Sequence, residues 1–71
     1  MSNLRQKFGE RLKFLRHRAE LTQEELASRA EISVDFLSLI ERGINSPSFE
    51  NLDKLANALN IEIVELFSFE R

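Results

Sequence analysis

The 71-residue sequence contains no cysteine. Disulfides and thiolate-held metals are both excluded, and the absence fits a reducing compartment. There is one histidine, His17, and only two glycines. With so few of either there is no metal constellation and no glycine-rich loop to cradle a phosphate. Neither a cofactor nor a metal is expected, and the chain does not read as an enzyme. No apolar run approaches the roughly 20 residues that span a bilayer. Met1-Ser2-Asn3-Leu4 lacks the apolar stretch of a signal peptide. The expectation is a cytoplasmic protein with no membrane contact.

What is present is short and charged. A chain of this length is expected to form one domain, residues 1–71, with a marginal core that oligomerisation would strengthen. No second, small-molecule-binding domain is expected. The formal net charge is −2, which argues against a general polyanion binder. Its distribution is uneven. Residues 1–18 carry six cations (Arg5, Lys7, Arg11, Lys13, Arg16 and Arg18) against the single anion Glu10, while the rest holds four cations and eleven anions. Any phosphate contact would lean on the basic end.

Five helical patterns are legible, and no long run alternates with the period of a strand, so the fold class is all-α. Leu4, Phe8, Leu12 and Leu15 form one apolar stripe over about 3–18. Thr22-Gln23-Glu24-Glu25 is a capping box that opens a second helix, with Leu21 and Leu26 placed as a hydrophobic staple. Leu26, Ala27 and Ala30 supply its inner face. Ser33 caps a third helix running to about 42, with Leu37 and Ile40 inside and Phe36 at the flank. Gly43 stops that helix in the left-handed conformation. Pro47-Ser48 begins a fourth, whose stripe is Phe49, Leu52, Leu55, Ala56 and Leu59, ended by a left-handed Asn60. A fifth short helix covers about 63–67.

The series Leu21-Thr22-Gln23-Glu24-Glu25-Leu26-Ala27, Ile32-Ser33, Leu37-Ser38-Leu39-Ile40-Glu41-Arg42-Gly43, Pro47-Ser48 and Leu52-Asp53-Lys54-Leu55-Ala56 resembles the phage-repressor and Cro type of helix-turn-helix, the XRE family. Small restriction–modification controller proteins share that pattern. The resemblance covers about residues 8–67. It implies a compact five-helix, lambda-repressor-like domain that acts as a homodimer on roughly palindromic double-stranded DNA, with helices 2 and 3 as the helix-turn-helix. It further implies that Ser33, Val34, Asp35, Ser38 and Leu39 face the bases of a major groove. Thr22, Gln23, Arg42, Asn45, Ser46 and Ser48 would follow the DNA backbone. Arg16 and Glu41 match positions that pair between helix 1 and the end of helix 3, and Arg16 is a further backbone candidate.

The chain departs from that pattern in several places. The loop after Gly43 reads Ile44-Asn45-Ser46, without the usual cations. The base-facing row lacks the Arg, Lys or Gln that best read guanine and adenine, and Asp35 would repel phosphates unless it accepts from a cytosine amine. Glu31 replaces the usual turn glycine. Phe14 stands where a polar residue is usual, and Val64 and Phe69 extend the apolar C-terminal segment; such clusters suggest a partner surface. The resemblance places the dimer contact in this segment, with Ile63, Val64, Phe67 and Phe69 as candidates. An alternative reading follows from the same departures: the fold serves as a protein-interaction module with weak or no DNA binding.

Overall fold

The computed structural model of the protein describes residues 3–69. Four α-helices follow one another, α1 (Leu4–Arg18), α2 (Gln23–Ala30), α3 (Val34–Glu41) and α4 (Phe49–Leu59), and a 3-10 helix (Ile63–Phe67) closes the series. Among the described residues there is no strand. The fifth segment is thus a tighter 3-10 turn rather than an α-helix. It runs for five residues, with the Glu65 N–H donating to the Glu62 carbonyl at 3.0 Å.

Side chains set the helix starts. The Glu25 N–H donates to Thr22 Oγ1 at 3.0 Å, and the Thr22 N–H donates to Glu25 Oε1 at 2.8 Å. The backbone bond from Thr22 holds the Glu25 carboxyl below its ordinary range, with the hydroxyl contact adding to it. Ser33 Oγ accepts from the Phe36 N–H at 3.0 Å. Ser48 and Asn51 form a second reciprocal box, both bonds 3.0 Å. A cap of this kind contributes about 1 kcal/mol.

The helix ends share one device. Each α-helix is followed by a residue in the left-handed region: Glu20 (φ 61°), Glu31 (φ 60°), Gly43 (φ 78°) and Asn60 (φ 59°). Beyond each, a backbone N–H reaches five residues back: Leu21 to Arg16 O, Ile32 to Ala27 O, Ile44 to Leu39 O and Ile61 to Ala56 O. This satisfies carbonyls that a helix end leaves open. Glycine holds the position without steric cost; each glutamate does so at about 1 kcal/mol.

The core joins Phe8, Leu12 and Leu15 of α1 to Leu26, Ala27, Leu37, Ile40, Leu55, Ala56 and Leu66 of the later elements. α2 packs on α3 and α4, while α1 packs on α3 and the 3-10 helix. Two small residues permit the close crossings. Ala27 is buried, as its place in the second helix implied. Gly9 matters more: a Cβ there would lie 2.5 Å from the Ile40 carbonyl oxygen. Arg11 Nε donates to Glu65 O at 2.9 Å and ties the 3-10 helix to α1.

Three sequence expectations need correction. Phe49 is 91% exposed rather than part of the inner stripe of α4. It is the first residue of its helix, and helical side chains lean toward the N-terminus, so its ring leans off the end of the body. Leu4 opens α1 in the same way and is 53% exposed. Phe14, expected as part of a partner surface, is half-buried against the core. The guanidinium groups of Arg11 and Arg18 lie 5.5 and 5.9 Å from its ring centre.

Candidate nucleic-acid interface

Three helices meet at one carboxylate. Arg16 Nε donates to Glu41 Oε2 at 2.7 Å and Arg16 Nη2 donates to Glu41 Oε1 at 3.0 Å. Gln23 Nε2 donates to the same Oε1 at 3.0 Å. Arg16 Nη1 also donates to the Leu21 carbonyl at 2.9 Å, in the connection between α1 and α2. The clamp therefore joins the end of α1, the start of α2 and the end of α3. A buried ion pair is tolerable only when its remaining donors and acceptors are satisfied. Among the described residues no buried side-chain nitrogen or oxygen lacks a hydrogen-bond partner.

This arrangement changes the picture of two residues. Arg16 is buried and turns its donors inward, so it positions α3 instead of offering a cation to solvent. Gln23 is half-buried and holds Glu41. Its amide carries two hydrogens, and fixing one fixes the direction of the other. Gln23, expected beside the DNA backbone, is thus oriented by Glu41 before any ligand arrives.

Around α3, away from buried Leu37 and Ile40, Val34 and Asp35 are exposed and Ser38 and Leu39 are half-buried, while Ser33, the N-cap before the helix, is exposed with its hydroxyl oxygen engaged by the Phe36 N–H. Val34, Leu39 and the hydroxyl groups present a mixed apolar and polar strip, with Asp35 the only charge on it. The caps take up part of the expected backbone-facing set. In Thr22 and Ser48 both the N–H and the hydroxyl oxygen are engaged by their capping partners. Arg42 and Ser46 are exposed, and the half-buried Asn45 gives its N–H to Leu39 O at 3.3 Å.

An adjoining surface is mostly apolar. Leu4, Phe8, Pro47, Phe49, Leu52 and Phe67, together with Arg5 and Ser46, line a groove of about 220 Å³. Phe67 stacks on Phe8 with ring centres 5.2 Å apart, and Phe69, expected as a contact residue, is half-buried against the core and meets Phe67 edge-on at 6.2 Å. Val64 is 69% exposed. It shares the Phe67 side of the 3-10 helix, in which residues three apart eclipse. Sequence periodicity did not separate Phe49 from the core, because its spacing to Leu52 is that of an inward residue.

Among the described residues there is no group of three or more His, Asp or Glu able to hold a metal, and no helix is long and apolar enough to cross a membrane. Short capped helices clamped around one carboxylate, with a solvent-facing helix at the front, define a small all-helical protein of the helix-turn-helix class. Residues 12–66 match the family described as Helix-turn-helix, and the chain belongs to that family. It is 36% identical over 69 residues to Control protein C.MunI of Mycoplasma sp, covering 96% of this chain and 93% of that protein. It is 30% identical over 69 residues to Control protein C.BamHI of Bacillus amyloliquefaciens, covering 96% and 85%. The solved structure of the restriction-modification controller protein C.AhdI from Aeromonas hydrophila superposes with a TM-score of 0.87 at 43% identity, covering 89% of this chain and 96% of that one.

Proposed function

We propose that the protein is a sequence-specific DNA-binding regulator of transcription, a repressor or controller in the cytoplasm, in which α2 and α3 form the helix-turn-helix within a single five-segment domain. The observation that carries this reading is the clamp. Arg16, Glu41 and Gln23 fix α3 from behind, so its outer strip is presented as a rigid surface. α3 enters the major groove with Ser33, Val34, Asp35, Ser38 and Leu39 toward the bases. Val34 and Leu39 meet thymine methyl groups, and Asp35 accepts from a cytosine amine. Gln23, Arg42, Asn45 and Ser46 contact phosphates, with Thr22 and Ser48 setting the helix ends beside them. The activity is binding, with no catalytic step.

The working form is a homodimer joined through the apolar surface of Val64, Phe67 and Phe69, with Ile63 at its margin and Phe49 as its most exposed ring. Two-fold pairing sets two α3 helices about 34 Å apart, one turn of DNA, and calls for a roughly palindromic site. A polarisation titration with duplex from upstream of the protein's own gene tests the reading. Tighter binding to that duplex than to a shuffled one is expected. Folded dimer that distinguishes neither at low salt would leave the protein-interaction reading in its place.

A further inference from the structure

The 43–46 loop has no cation of its own, yet the fold brings two to its start. Arg42 immediately precedes it and is exposed. Arg5, on the first turn of α1, donates Nη1–H to the Ile44 carbonyl at 3.0 Å across 39 positions of sequence. Gly43 makes this approach possible: a Cβ there would sit 3.0 Å from Gln6 Cα. Arg5 and Arg42 both line a polar surface cleft of about 310 Å³ with Asn3, Gln6 and Gly43, and no acidic residue lines it. A guanidinium has five N–H donors in one plane. One bond to Ile44 leaves the exposed Arg5 guanidinium with four further N–H donors, a fork suited to phosphate oxygens.

We propose that Arg5 is a DNA phosphate-binding residue, held in place by the Ile44 carbonyl and working beside Arg42, so that α1 supplies the cation the loop lacks. The inference rests on the DNA-binding reading above. It also gives the basic end of the chain a definite role. Arg11 and Arg16 are spent inside the fold, whereas Arg5 is directed at the loop that follows α3.

The test compares wild type, Arg5→Gln and Arg5→Lys on the upstream duplex and a shuffled duplex over a range of salt concentrations, with thermal melting of each protein alone. Arg5→Gln is expected to weaken both duplexes by the same factor and to reduce the slope of log K against log salt by about 0.9 for each bound subunit. Arg5→Lys, which keeps the charge, is expected to restore the slope. If both variants melt lower while the Arg5→Gln slope equals that of wild type, Arg5 merely fastens the loop and the inference is overturned. Wild type that binds no duplex at low salt would overturn the DNA-binding reading itself and this inference with it.

Discussion

Arg16 and Glu41 lie 25 positions apart in the chain and share two hydrogen bonds, at 2.7 and 3.0 Å, with side chains 8% and 2% exposed. Their bond is the mechanical link between α1 and the end of α3. Removing one member leaves the other charge buried, which costs about 3–5 kcal/mol. Urea denaturation of Arg16→Ala is predicted to show a loss of this size. The double replacement Arg16→Met with Glu41→Leu should be closer to wild type than either single replacement. Additive losses in the double variant would show that the two residues do not act as a pair.

The helix crossings and helix ends give a contrast in sign. Gly9→Ala places a methyl group 2.5 Å from the Ile40 carbonyl oxygen and 2.6 Å from that of Glu41, both backbone atoms. It is predicted to destabilise by about 1–3 kcal/mol, as overpacking does. Glu31→Gly relieves a left-handed glutamate and is predicted to stabilise by about 1 kcal/mol. Only the exposed contact to Lys54 Nζ at 3.7 Å is lost with it. Melting curves of the two variants should shift in opposite directions, and a shared direction would contradict the backbone argument.

Much of this was legible in the sequence because it is local. The Thr22–Glu25 box, the Ser33 cap and the left-handed Gly43 and Asn60 each depend on residues a few positions apart. Glu20 escaped notice because no glycine or asparagine marks that helix end. Features that require the tertiary fold were also missed. Gly9 reads as an ordinary helix interior until α3 lies across it, and Arg5 reads as one cation of six until Ile44 comes within 3.0 Å. Phe49 has the spacing of a core residue, and only the overhang of the first turn of α4 exposes it. The family resemblance supplied the pairing of Arg16 with Glu41 but not the third member, Gln23.

The candidate DNA contacts separate by type. Gln23→Ala is predicted to weaken binding to specific and shuffled duplexes alike, because a phosphate carries no base information. Asp35→Ala is predicted to change which sequence is preferred and to raise affinity for shuffled duplex by removing a repulsive charge. Competition titrations with both duplexes measure the two effects. Preference that stays unchanged in Asp35→Ala and shifts in Gln23→Ala would reverse the assignment.

Assembly is predicted to depend on the exposed apolar surface. Burying a ring such as Phe49, 91% exposed in the single chain, contributes about 1.5–3 kcal/mol. Sedimentation of wild type is predicted to show a dimer, and Phe49→Glu and Val64→Asp are each predicted to shift it toward monomer without loss of helix content. A wild type that stays monomeric at high concentration would remove the proposal, and a dimer indifferent to both charges would move the interface elsewhere.

The central claim is that α3 reads the major groove, and methylation interference on the upstream duplex tests it most directly. Guanine N7 opens onto the major groove and adenine N3 onto the minor groove. The account predicts that guanine N7 methylation blocks binding within two half-sites whose centres are about one DNA turn apart, while adenine N3 methylation within the same half-sites is tolerated. Binding blocked only by minor-groove methylation, or unaffected by either at low salt, would contradict it.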